Sequence, residues 1–210
     1  MSKIKFLTGF LTLFLLGNLN AQELEQKTET SVYIKGNALL IPIGVVNVAL
    51  EHQLSKKITV QGDVLVSPWK SFSGHELQYY SLSLEGRYYF DEAFKHWYIG
   101  ANIAGSRFIV QKWNYWKDGI TINEDTGISY NKSDLYQKGY SLILGITGGY
   151  QFKVSDRWNV DIYAGIGTSQ DFYKGYDRTT GNRYDSAKDY NKSGEIIPYR
   201  GGVMISYKLK

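Results

Sequence analysis

Apolar and polar residues alternate with a period of two over most of this chain. In the clearest stretch, Tyr80, Leu82, Leu84, Tyr88 and Phe90 share one face, while Tyr79, Ser81, Ser83, Glu85 and Arg87 share the other. A strand turns successive side chains to opposite faces, whereas a helix repeats every ~3.6 residues, so this period predicts strand. The stretch before it sets Ile58, Val60, Val64 and Val66 against Thr59, Gln61, Asp63 and Ser67, and an earlier one sets Val46, Val48, Leu50 and Leu54 against Asn47, Glu51 and Gln53. Near the end, Trp158, Val160, Ile162, Ala164 and Ile166 oppose Asn159, Asp161 and Tyr163. Last, Tyr199, Val203, Ile205, Tyr207 and Leu209 oppose Arg200, Ser206 and Lys208. Segments 31–41, 96–112 and 138–154 are less regular, and the second of these changes phase near Ser106, which predicts a β-bulge there.

The connections alternate in length. Short turns are expected at 55–57, 91–95 and 155–157, longer loops at 68–76, 113–138 and 175–195, and a short apolar hairpin at 41–45. Short turns on one side and long loops on the other fit an all-β, antiparallel up-and-down transmembrane β-barrel of about eight strands. The apolar faces carry almost no charge, and the opposite faces hold Lys35, Glu51, Asp63, Glu85, Arg87, Asp161 and Arg200. Alternation alone fits two arrangements. A soluble sandwich packs its apolar faces together, and a small membrane barrel turns them to lipid and fills its lumen with the polar ones.

Three features favour the barrel. Aromatics gather at strand ends, with Tyr88, Tyr89, Phe90, Trp97 and Tyr98 at the short-turn end and Trp113, Tyr115 and Trp116 at the other. The strands run about ten or more residues, the length needed to cross a bilayer at a tilt. The polar faces carry both signs, so Glu51, Asp63 and Glu85 are placed to pair with Lys35, Arg87 and Arg200. An eight-stranded interior is just wide enough for side chains to fill, which predicts a plugged lumen.

Residues 1–21 read as a signal peptide: Lys3 and Lys5 precede an apolar run from Phe6 to Leu16, and cleavage is expected after Ala21 despite Leu19 at a position that usually holds a small residue. The apolar run is shorter than the ~20 residues of a spanning helix. A polar lead, 22–30, then precedes a single barrel domain, 31–210. The expected location is the outer membrane of a Gram-negative bacterium, with outer-membrane lipid as the surrounding partner.

Composition narrows the rest. The absence of Cys excludes disulfides, thiol nucleophiles and Cys-based metal sites. The formal charge of +4 falls to roughly +2 once the leading lysines are removed, too weak to argue for nucleic acid. The 18 Tyr and 5 Trp suit a membrane–water boundary, because each joins an apolar body to a polar tip.

Several segments, taken in order, resemble a known family. They are Tyr33-Ile34-Lys35-Gly36-Asn37, Asn47-Val48-Ala49-Leu50-Glu51, Ser67-Pro68-Trp69, Glu85-Gly86-Arg87-Tyr88-Tyr89-Phe90, Gly148-Gly149-Tyr150, Arg157-Trp158-Asn159 and Gly165-Ile166-Gly167. The chain is similar over nearly all of its mature length to the secreted family termed domain of unknown function 3575. The resemblance implies an outer-membrane barrel and brings no activity, substrate or catalytic residue. Gly36 stands where the family usually has Thr and Tyr89-Phe90 where it has Tyr-Trp, and the chain ends Leu209-Lys210, whereas many outer-membrane barrels end on an aromatic.

No enzyme site, cofactor or metal is expected. A barrel deacylase needs His two residues before Ser, but the histidines here read His52-Gln53-Leu54, His75-Glu76-Leu77 and His96-Trp97-Tyr98. His75 with Ser71 and Ser73 is the nearest echo of a lipid-modifying site. Asn123-Glu124-Asp125 lacks the spacing of a calcium loop and reads as a hairpin tip. Aromatics crowd the long loops, and Trp113, Tyr115, Trp116, Tyr176 and Tyr184 are the candidates for anchoring an envelope protein or a glycan. The expected role is therefore structural, or binding through the loops. The alternatives are a periplasmic barrel holding a small apolar ligand and a lipid-modifying outer-membrane enzyme.

Overall fold

The period-two segments pair into one closed sheet. A computed structural model describes residues 30–123 and 125–210; the segment read as a signal peptide, most of the polar lead and Glu124 lie outside the described residues. The strands are β1 (Val32–Asn37), β2 (Val46–Gln53), β3 (Ile58–Phe72), β4 (His75–Tyr89), β5 (His96–Val110), β6 (Ile120–Ile122), β7 (Ser129–Asn131), β8 (Leu135–Lys153), β9 (Trp158–Asp177) and β10 (Asn191–Lys208). Eight of them close an antiparallel barrel in the order β1-β10-β9-β8-β5-β4-β3-β2, while β6 and β7 form a separate hairpin in the loop between β5 and β8. Each barrel strand pairs with its sequence neighbours, and β1 meets β10 with Lys35 opposite Ser206.

The burial is inverted relative to a water-soluble core. Leu82 is 66% exposed and Trp97 62%, whereas Glu51, Glu85 and Gln61 are fully buried. Polar residues therefore fill the interior and the apolar rows face outward along every strand. Adding a fixed register makes this selective, because a slip of one residue would turn every side chain to the other face.

Several expectations are corrected. The segment 68–76 is not a long loop: β3 and β4 continue to a two-residue turn at Ser73 and Gly74, both with positive φ (51° and 87°), which suits a tight hairpin. No bulge occurs at Ser106, where β5 stays in register with both neighbours. The apparent phase change arises because Arg107 faces outward and Phe108 inward near the strand's upper end. One register shift lies in β3, between Trp69 and Phe72, and a bulge lies in β10, between Pro198 and Arg200. It turns Tyr199 inward beside Arg200: a Cβ on Gly145 or Gly167 would strike the Tyr199 ring. Tyr89 and Tyr98, read as rim aromatics, are buried inside. β1 ends at Asn37 and passes into a short 3-10 turn, Ile41–Ile43.

The turn at 91–95 does more than connect. Phe94 takes a positive φ of 66°, costly for a bulky residue. This swings its ring under the barrel, 4.4 Å from the Tyr33 ring, and leaves it 5% exposed. The amide of Ala93 donates to Lys56 O (2.8 Å), and Phe94 O accepts from Asn159 Nδ2 (3.3 Å), which fixes the turn in place. Phe94 therefore seals the short-turn end. Phe94→Ala should cost about 3–5 kcal/mol through the cavity it leaves, read as a lowered urea midpoint of the folded barrel.

Candidate functional site

The interior is built in layers upward from Phe94. The first is aromatic and contains Tyr33, Tyr89 and Tyr98, with Met204 and Ala49 between them. Tyr89 Oη lies 2.8 Å from Glu51 Oε1 and 2.7 Å from Gln151. A phenol has one proton to donate, so with Glu51 as its acceptor the Gln151 amide is assigned with its NH₂ toward Tyr89. Tyr98 Oη donates to Asp161 Oδ1 at 2.9 Å, and the Arg87 guanidinium lies over the Tyr98 ring, 4.5 Å from its centroid.

Above that layer the ionic residues expected from the sequence come together. Lys35 Nζ pairs with Glu51 and, at 3.0 Å, with Asp161. Arg87 reaches Glu51 (3.3 Å), Asp161 (2.9 Å) and Glu85 (3.0 Å). Thr59 donates to Glu51 at 2.5 Å. The next layer joins Arg200 to Asp63 (2.8 Å) and to Glu85 (3.0 Å), with Ser83 donating to Asp63. Glu85 thus links the two layers, and all seven groups belong to one network.

Six strands supply these groups, so the network ties opposite walls of the barrel. Seven charges withdrawn from water carry a large desolvation cost, which mutual pairing offsets without adding much net stability. The arrangement also needs room. A Cβ on Gly100 would collide with the Glu85 carboxylate, and one on Gly165 would lie 2.7 Å from Arg200 Cγ. Gly165 entered the sequence reading only as part of a family-like segment and Gly100 not at all; their inward parity opposite Arg200 and Arg87 was the available signal.

The upper lumen is different. A cavity of about 300 Å³ lies between Tyr79, Phe108, Ile143, Ile197, Tyr173 and Asp171. Asp171 accepts hydrogen bonds from Ser141, Ser169 (2.6 Å) and Ser193 (3.2 Å). The mouth is roofed by the loop after β9. Tyr184 leans on Gly175, its hydroxyl 3.0 Å from that of Tyr115 and hydrogen-bonded by Gln137 at 3.2 Å. Burial, then the Tyr115 hydrogen bond, pushes the Tyr184 phenol up in pKa.

The five loop aromatics do not form one surface. Tyr115 and Tyr184 are joined in this roof. Trp116 stacks on His75, with centroids 4.2 Å apart, and His75 Nδ1 sits 3.1 Å from Gln111 Oε1. Tyr176 stacks on Tyr136 at the rim, and Trp113 projects with 82% exposure. His52 and His96 lie at the opposite end from His75, and His96 pairs with Asp91 at 2.8 Å. At the tip of the β6–β7 hairpin, Asn123 Oδ1 accepts from the amides of Asp125 (3.0 Å) and Thr126 (2.9 Å), the pattern of an Asx turn.

Fold and interior together define a class: a closed eight-stranded antiparallel barrel with apolar walls outside and an ion-paired plug within. The chain belongs to the family described as protein of unknown function (DUF3575), whose model matches residues 9–209. No curated protein matches it.

Removing one partner of a buried, hydrogen-bonded network leaves charge uncompensated. Arg87→Met, which removes the cation shared by Glu51, Glu85 and Asp161 and leaves Lys35 and Arg200 to face four buried carboxylates, should destabilise the barrel by about 3–5 kcal/mol. Arg178→Met breaks a rim pair with Glu76 and a contact over the Tyr136 ring, both made by a half-exposed guanidinium, and should cost about 1 kcal/mol or less. Denaturant midpoints of the two variants provide the comparison.

Proposed function

We propose that the protein is a non-enzymatic outer-membrane barrel whose ionic plug closes the lumen, and which acts structurally or through its long-loop end on an envelope protein or glycan. The observation that carries this reading is the exterior. Outward rows of Val, Leu and Ile run between two aromatic belts. One holds Tyr88, Phe90, Trp97, Tyr150, Phe152 and Trp158; the other holds Tyr80, Tyr140 and Phe172. From Trp97 to Arg107 along β5, at a rise of ~3.4 Å per residue and a tilt near 40°, the height is about 25 Å, the apolar band of an outer-membrane barrel. In water such a surface would be a very large apolar patch and would drive association.

A lead segment of signal-peptide character supports export across the inner membrane. The distribution of short turns and long loops supports insertion with the loops outward. No residue is assigned a catalytic role: His75, the best candidate, is engaged by Trp116 and Gln111. The apolar wall of the upper cavity, Phe108, Ile143 and Ile197, favours a second reading in which a small ligand enters from the loop side. The exposed apolar exterior argues against that ligand's host being a water-soluble barrel.

Depth dependence tests the membrane reading. Leu144 is half-exposed in mid-band, and Val154 is exposed at the short-turn rim. Leu144→Arg should cost about 2–4 kcal/mol of folding free energy in bilayers, and Val154→Arg about 0–1. Equal, near-zero costs at both sites would identify the exterior as a water-facing surface and overturn the proposal.

A further inference from the structure

The outward charges are unevenly placed. On the walls between the aromatic belts the outward positions of the barrel are uncharged, but at the long-loop end of four adjacent strands they become basic. Arg107 on β5, Lys138 on β8, Lys174 on β9 and Lys192 on β10 all point outward. The register sets them side by side. Arg107 lies opposite Tyr140, Tyr140 opposite Phe172 and Phe172 opposite Lys192, with Lys138 opposite Lys174 just above. With strands ~4.8 Å apart, the cluster is about 15 Å wide. Among the described residues none of the four makes an ion pair. Glu76, an outward carboxylate of β4 at this rim, is held by Arg178 at 3.1 Å.

Aromatic rings carry these cations. Lys174 Nζ stands 4.6 Å from the centroid of Tyr190 and Lys192 Nζ 5.9 Å from that of Phe172, while Tyr140 stacks on Phe172 at 5.2 Å. The ammonium groups are therefore held at the level of the upper belt. Directly beneath Arg107 runs an open groove of about 620 Å³ over Val66, Tyr80, Leu82 and Tyr140, with Gly105 at its floor. The opposite wall at this height is instead apolar, with Leu39, Ile41 and Ile43 exposed around the β1–β2 connection.

We infer that this face is a binding site for the phosphorylated headgroup of an outer-leaflet glycolipid of the lipid A type, with Arg107, Lys138, Lys174 and Lys192 on the phosphates and an acyl chain in the groove over Gly105. The inference rests on the membrane reading proposed above and adds a specific lipid ligand to it. Two observations converge on it: unpaired cations at headgroup height, and an apolar channel leading down from them into the band. Phosphate and acyl chain in one molecule satisfy both, and neither a soluble phosphate nor an uncharged lipid does.

The full protein, folded into phosphatidylcholine vesicles doped with diphosphoryl lipid A, provides the test, with flotation reporting insertion and co-purified lipid A reporting binding. The wild type should retain diphosphoryl lipid A well above its dephosphorylated form. At roughly five-fold per cation near a charged surface, K138Q/K174Q should weaken retention on the order of 25-fold. A Cβ at Gly105 meets nothing within 4 Å, so G105L should fold, fill the groove and lower retention with the phosphates still recognised. K56Q/K153Q at the opposite rim should leave retention unchanged. A barrel that floats but binds both lipid A forms equally, that is indifferent to K138Q/K174Q, or that releases lipid A to equimolar inorganic phosphate overturns the inference and leaves the membrane reading intact. A protein that fails to float overturns that reading and the inference with it.

Discussion

The structure depends on the mutual neutralisation of charges inside a narrow barrel. Eight strands enclose a space that side chains must fill, and here the filling is ionic. Arg87 is central: it reaches Glu51, Glu85 and Asp161 from one guanidinium and lies on the Tyr98 ring. A planar guanidinium with several fixed donors suits such a junction better than an ammonium. Lys35 completes the lower cluster as a point charge between Glu51 and Asp161. The pairing chiefly offsets desolvation, and its structural consequence is register. A one-residue slip of β1, β2 or β9 would turn Lys35, Glu51 or Asp161 outward and leave partners stranded.

The exterior follows from the same parity. Once alternate positions are committed to the ionic interior, the intervening ones, Leu82, Leu84, Ile103, Leu144 and Ile166 among them, must face whatever surrounds the barrel. Hydrocarbon is the medium in which that surface costs least, and a closed sheet leaves no edge with unsatisfied backbone groups. The plug, the belts and the basic rim then form one series along the barrel axis: a sealed short-turn end at Phe94, an ion-paired middle, and a roofed cavity at the loop end.

Much of this was legible in the sequence because a strand's period is simple. The faces of β2, β3 and β4 follow directly from alternation, and the seven charges of the network share a parity that puts them on one side. What escaped depends on departures from regular backbone. Tyr199 reads as outward until the bulge at Pro198 inserts a residue and brings it into the lumen beside Arg200. Phe94 looks like part of an ordinary polar turn, and only its positive φ sends it inward. Ser73-Gly74 is a turn signal, but Pro68 and the polar residues around it suggested a loop where strand pairing continued. The loop aromatics were recognised as a set by composition, and long-range contacts between loops separate them: Tyr184 meets Tyr115, while Trp116 finds His75.

Cysteine is absent from the chain, so single introduced thiols give a clean background for nitroxide labels. Labels placed singly from 142 to 147 on β8, in protein reconstituted in bilayers, report the surroundings of each position by collision with oxygen and with a water-soluble nickel chelate. Greasy neighbours should give oxygen contact and nickel shielding at 142, 144 and 146, with a label at 147, below the upper cavity, shielded from both reagents by the packed interior. Free collision with nickel at 142, 144 and 146 would show those rows bathed in water and contradict the account.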